Sequence, residues 1–266
     1  MTQGSARITN AHYHSDPAVS ATMLKVMATH CPRVYWNRFL NPERPEQKET
    51  PAMFLGTLTH CAVLEPEELD KRFTVVSSRT TKKGKEEAAE AEKAGLIATT
   101  KSDMEAALKM RDAVFADKEA KSLLAHGTAE KSFWRTDEET GLVMKARSDW
   151  ANETTLVDLK TSRGGASPTV FAKTVTSLLY HMQASHYLTV TGFNRFIFIV
   201  VQSEFPYDVG VYELDEDAMQ EGRRLCRKSL DKIAECELSG DWPGWADRGV
   251  QRLSLPRWAF PTPNNK

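Results

Sequence analysis

A single α/β domain, with a mixed central β-sheet flanked by helices, is the fold that this 266-residue sequence predicts. Three observations carry it. Up to residue 127 the apolar residues recur at helical spacing, from 130 to 160 they follow strand periodicity, and a helix, two strands and a last helix come after. A composition of 41% hydrophobic and 27% charged residues supplies a sizeable core. The 35 Lys and Arg against 36 Asp and Glu exclude the global basic excess of an architectural DNA-binding protein, so contact with a polyanion needs a local patch or metal ions. No apolar run approaches the ~20 residues of a membrane span and the first twenty residues hold no signal-peptide core, which makes the cytoplasm the expected compartment. Cys31, Cys61, Cys226 and Cys236 show no zinc or redox spacing and read as reduced, mostly buried thiols.

A polar arm runs to Asp16, and Ser20 is a fitting cap for a helix over 21–39, kinked or split by Pro32. A second helix spans 52–64 with His60 near its end. Residues 73–77 read as a short strand, and 80–93, rich in Lys, Glu and Ala, as a solvated helix or mobile excursion. Amphipathic spacing from Met104 to Phe115 predicts another helix, with a short one at 119–125. Strands at 132–135, 142–150 and 154–160 form a meander, separated by turn residues at 137–141 and 151–153. Ser167 opens a long helix that Gly192 stops, strands follow at 195–202 and 209–214, and a final helix covers 215–238. The chain thus divides into a mainly helical part (1–127), an α/β core (128–238) and a tail (239–266) within one domain.

The chemistry concentrates in the meander. Asp158 and Lys160 are two apart in one strand and share a face, while Asp149 closes the preceding strand. Paired as a hairpin, these strands bring two carboxylates and a lysine into one small volume, which is unfavourable unless a cation offsets the repulsion. Hard Mg²⁺, with the Leu159 carbonyl as a further oxygen ligand, suits such a site, and Mn²⁺ can substitute. Lys160 can then orient or deprotonate a water, or steady the charge of a phosphodiester transition state. On repulsion alone, removing Asp158 should stabilise the metal-free protein. Taken by itself, however, Asp-x-Lys in a strand is more often a surface ion pair.

At these residues the sequence resembles the PD-(D/E)xK nucleases, and within them the phage and prophage recombination exonucleases of the lambda-exonuclease and RecE (exodeoxyribonuclease VIII) type. The similar elements are His14 to Ser20, Gly56-Thr57-Leu58-Thr59-His60 running into Leu64-Glu65-Pro66, Glu130, Glu138 to Gly141, Lys145 to Trp150, Val157 to Thr161, and Gln183-Ala184-Ser185-His186-Tyr187. Ser148 stands where the motif's name has proline. The resemblance implies a restriction-endonuclease-like fold, Asp149, Asp158 and the Leu159 carbonyl as metal ligands, and Lys160 as catalytic lysine. It also implies His60 on the metal side, Glu130 supporting the metal cluster, and Gln183 and Tyr187 addressing one phosphate or its water. Pattern alone also reads His60 as a capping or core histidine and Glu130 as a solvent-facing residue. DNA contacts are expected from Ser20, Arg147, Arg163 and His186. The implied activity is Mg²⁺-dependent 5′ to 3′ degradation of one strand of linear duplex DNA, leaving 3′ single strands for phage recombination by annealing. The alternatives are a restriction-like or structure-specific endonuclease and a non-catalytic DNA-binding relative. The implied partners are duplex DNA ends, a phage single-strand annealing protein in a bacterial host, and copies of the chain in a homo-oligomeric ring, a trimer before a tetramer. The aromatic C-terminal stretch from Trp242 to Phe260, Trp258 included, could dock on a neighbour or pack back on its own domain.

Overall fold

The computed structural model describes residues 3–6, 8–45 and 49–260, apart from the side chains of Gln3, Arg248 and Trp258. The chain opens with strand β1 (Gln3–Ala6), then α1 (Asn10–Ser15) and α2 (Ala21–Thr29), which Ser20 caps by accepting the Met23 N–H. The helix expected over 21–39 is two helices: Pro32 has no N–H to continue a turn and opens α3 (Pro32–Phe39) instead. Next come α4 (Pro51–Leu64), α5 (Leu69–Arg72), β2 (Phe73–Val76), α6 (Lys82–Lys93), β3 (Ile97–Thr100), α7 (Lys101–Ala116) and α8 (Lys118–Leu123). The charged segment at 80–93 is therefore helical, the crossover that lets β2 and β3 pair in parallel.

The meander is β4 (Thr128–Thr136), β5 (Val143–Ala151) and β6 (Thr155–Ser162). The long helix expected from Ser167 is also two, α9 (Pro168–Ser177) and α10 (Tyr180–Thr191). The break falls at Leu179, held left-handed at φ 52°, a cost of order 1 kcal/mol that no Gly or Pro announces. It lets Tyr180 stack on Phe198 and lean on Phe171. Strands β7 (Arg195–Gln202) and β8 (Val209–Glu213) and helix α11 (Glu216–Ser239) complete the domain.

The six-stranded sheet runs β1-β4-β5-β6-β7-β8 and is antiparallel except for the β6–β7 pair. Leu156, Phe196, Phe198 and Val200 face a core layer built from α2, α10 and α11; Val157, Leu159, Ile197 and Ile199 face the opposite layer, from α4, α7 and α8. Gly222 permits the close approach of α11 to α10, since a Cβ there would fall 2.2 Å from the His181 carbonyl oxygen. Trp242 stacks on Tyr35 of α3, so this part of the tail packs back on its own domain. Trp258 lies outside the described side chains. All four cysteines are buried and free, and among the described residues no helix is long and apolar enough to cross a membrane.

Two irregularities shape the sheet's centre. Antiparallel pairing of β5 with β6 covers only Trp150–Val157 and Ala151–Leu156, and beyond them the strands part into a fork. At the far end of β5, Val19 enters as an isolated parallel bridge to Met144, donating its N–H to the Val143 carbonyl (2.8 Å) and accepting from the Lys145 N–H (2.9 Å). The second irregularity is a shared kink. Ala129 and Phe133 of β4, and Ala146 and Trp150 of β5, have the same parity yet meet opposite core layers. Strand alternation forbids this unless the backbone turns over between them. The turn sits at Glu130, at φ 53°, and at Asp149 opposite it, the one position where the β4–β5 register skips a pair.

Candidate active site

The kink and the fork set the site. With β4 and β5 turned over together, Glu130 and Asp149 lie side by side, and α4 brings His60 to them. One ligand atom from each of His60, Glu130 and Asp149 lies within 4.8 Å of the others, the group among the described residues best arranged to hold a metal ion. His60 Nε2 donates to the Leu159 carbonyl at 2.7 Å; a carbonyl only accepts, so the proton is on Nε2. Nδ1 of His60 then faces Asp149 Oδ2, 3.6 Å away. Asp149 Oδ2 also accepts the Leu159 N–H (2.8 Å), replacing the ladder hydrogen bond lost where the strands part. Burial, and next the Asp149 carboxylate, push Glu130 up to about 7. Two crowded carboxylates beside an imidazole nitrogen are the donor set a hard or borderline divalent cation needs, so the residues fit one.

Asp158 and Lys160 occupy the other side of the fork. Asp158 is 2% exposed; its Oδ1 accepts from Gln183 Nε2 at 2.6 Å. Its Oδ2 meets the Lys160 ammonium as an ion pair and, among the described residues, no further donor. Burial opposes charge on Lys160, yet Asp158 and then Asp149 outweigh it and hold the ammonium above its ordinary range. The expected ligands thus fall into two neighbouring groups. Asp149 shares its group with Glu130 and His60, Asp158 is paired with Lys160 and Gln183, and the Leu159 carbonyl anchors His60. Tyr187, four residues after Gln183, packs edge-on against Phe196, and burial drives its phenol well above the usual value.

Two residues that sequence reasoning missed belong here. Lys25 of α2 donates to Gln183 Oε1 at 3.2 Å, and burial, with Lys160 next, draws it down to about 8. Tyr180 presents its ring to both lysines, with Lys25 Nζ 4.8 Å and Lys160 Nζ 4.9 Å from the centroid. A lysine on an amphipathic helix and a tyrosine after two leucines gave no signal that would single them out.

Two residues expected to contact DNA are engaged within the protein. Arg147 is 8% exposed and spends its guanidinium on Ser132, Asn10 and the carbonyls of Ile8 and Thr9, pinning the N-terminal arm. His186 is 1% exposed, bonded through Nε2 to the Lys145 carbonyl, and pulled down to about 4 by burial. Ser20 is engaged as the α2 cap, and Arg163, well exposed, pairs with Glu204 at 3.2 Å. Beside the metal-capable group opens a cavity of about 470 Å³ whose lining includes Thr57, Glu65, Arg72 and Arg147 with His60 and Glu130.

Comparison with known proteins places this geometry. Residues 20–249 match the family described as a PDDEXK-like domain of unknown function (DUF3799). No curated protein sequence matches the chain. Among solved structures the chain is similar to a protein of Eubacterium rectale provisionally named an exonuclease, with 16% identity, a TM-score of 0.64, and 94% of this chain and 96% of that one covered. At that identity the likeness concerns the fold. An alkaline exonuclease from Laribacter hongkongensis aligns over 84% of this chain and 91% of its own with 12% identity, at a TM-score of 0.33 that carries no argument.

Proposed function

The chain belongs to the PDDEXK-like family DUF3799, and from that membership and the geometry of the fork we propose that it is a divalent-metal nuclease, in finer form a Mg²⁺-dependent 5′ to 3′ exodeoxyribonuclease of linear duplex DNA. One observation carries the reading: a metal-capable group of His60, Glu130 and Asp149 stands across one fork from the half-buried Lys160 ammonium.

His60, Glu130 and Asp149 would hold the cation, which when bound supplies Lewis-acid polarisation of a phosphate oxygen and a water acidified towards neutral pH. The Leu159 carbonyl fixes the His60 tautomer so that Nδ1 faces inward. The Leu159 N–H holds Asp149 in place. Lys160, kept cationic by Asp158 and Asp149, places charge where a phosphodiester gains it in the transition state, a role for a donor and not for a base. Gln183 holds Asp158 from behind. Strand polarity, 3′-tailed products, hand-over to a phage annealing protein in a bacterial cytoplasm, and a closed ring, trimeric before tetrameric, belong to this proposal through the motif resemblance. The exposed Trp245, Val250 and Leu253 of the tail give a ring an apolar surface to bury.

The test is digestion of duplex DNA labelled at the 5′ or the 3′ end, beside the same DNA as a closed circle. Mg²⁺ or Mn²⁺ should release 5′-terminal mononucleotides from the linear form alone, and chelation should stop it. Nicking of the circle would establish the restriction-like endonuclease instead, and no cleavage in either metal would remove the nuclease reading. Light scattering at micromolar concentration tests the ring, which a monomer digesting long duplexes in one binding event would exclude.

A further inference from the structure

We propose that Lys25 is a positioning residue of this site, clamping the Gln183 amide so that Gln183 holds Asp158 against Lys160. The inference deepens the nuclease reading and rests on it for its kinetic test.

A glutamine amide has two ends of nearly equal shape and opposite polarity. Gln183 lies between a group that can only accept, the Asp158 carboxylate (2.6 Å from Nε2), and a group that can only donate, the Lys25 ammonium (3.2 Å from Oε1). Both select the same orientation, and each hydrogen bond has one charged partner, the stronger class. The Tyr180 ring completes the clamp by receiving Lys25 and Lys160 at similar distances, 4.8 and 4.9 Å, which fixes the spacing of the two ammonium groups. Without Lys25, Gln183 Oε1 loses its donor in a buried setting and the amide is free to rotate off Asp158. Asp158 Oδ1 would then have no hydrogen-bond donor, and its pairing with Lys160 would lose its backing. Lys25 therefore acts through Gln183, from a helix more than 150 positions away in the chain.

A double-mutant cycle on Mg²⁺-dependent cleavage tests this. Lys25→Met should lower kcat about 10- to 100-fold with KM within about twofold, and Lys25→Arg, which keeps the charge and reach, should recover most of it. In a Gln183→Met background, Lys25→Met should cost less than about twofold more. Losses that multiply in the double variant, or a loss confined to KM, would overturn the proposal, the latter marking Lys25 as a direct phosphate contact. A readout free of activity is the pair of Gln183 side-chain amide resonances, assigned by their absence in Gln183→Met. They should move in Lys25→Met and stay near their wild-type positions in Lys25→Arg. Unmoved resonances overturn the proposal even in an active enzyme, whereas moved resonances in a protein that cuts no DNA would uphold the clamp and sink the nuclease reading. Should Lys25→Met fail to fold, Lys25→Ala, which also removes the donor, takes its place with the same expected outcomes.

Discussion

The two sides of the β5–β6 fork solve the problem of gathering charge in opposite ways. On the open side, Glu130 and Asp149 crowd together with His60, all half-exposed, and Arg147, 3.8 Å from Glu130, is committed to the N-terminal arm. On the closed side, one buried carboxylate, Asp158, faces two ammonium groups, one directly and one through an amide. The first needs an external positive charge and is placed to capture one. The second carries its own, with an excess fit for a phosphate. On the proposed reading, one pair of strands thus separates ion capture from charge donation, and the separation follows from which side chains are buried with a partner.

The comparison breaks most sharply at Asp158 and Lys160. Lys160→Ala should reduce cleavage by about 10²–10³-fold, and Asp158→Ala should do the same while also destabilising the fold by about 3 kcal/mol, because it strands a half-buried ammonium. Carboxylate repulsion alone predicts the opposite sign for Asp158. The structure reverses it, since Asp158 is the partner of Lys160 and not the crowded member of a carboxylate group. Thermal melting of Asp158→Ala without metal decides, and a rise in Tm would refute the closed side as described. A smaller effect comes from His186 beneath that side. Its folded pKa is depressed from 6.5 to about 4, so as pH falls through that window the unfolded chain takes a proton that the native state refuses. Stability present above pH 6.5 is lost on acidification, on the order of 2–3 kcal/mol by pH 4. Denaturant melts of His186→Asn should show a flatter acid limb. On the open side, Glu130→Gln should leave metal-free stability unchanged or raise it by about 0.5 kcal/mol, while calorimetric titration shows weakened Mn²⁺ binding. Ca²⁺ should bind there without supporting turnover, because its looser coordination misplaces the attacking water; equal rates in Ca²⁺ and Mg²⁺ would count against the site.

Strand alternation placed Asp158 and Lys160 on one face, and i to i+4 spacing placed Gln183 and Tyr187 on one helix, because those relations are local. What escaped is non-local or lacks a residue signal. Lys25 looks like any solvated lysine until α2 docks on α10. Nothing between Ser167 and Thr191 marks the break at Leu179, which packing of Tyr180 enforces. Strands β1 and β3, four residues each, are too short to show a period. Arg147 and His186 read as surface cations because sequence does not reveal that a neighbouring backbone has used their donors. The kink at Glu130 is equally silent, since glutamate rarely takes a left-handed conformation.

The bridge between Val19 and Met144 also orders events in time. At the ~5–20 residues per second of synthesis, the interval from position 19 to position 144 lasts roughly 6 to 25 s, during which the segment that plugs the fork has no strand to join. Helix α2, with Met23, Leu24, Val26 and Met27, waits longer still, for Leu230 and Ile233 of α11. A segment made well before its partners is therefore among the last to find its place, and such distant contacts slow the search. Lys25 meets Gln183 only where α2 lies against α10, so a nascent chain carries its acidic residues before the lysine clamp is in place.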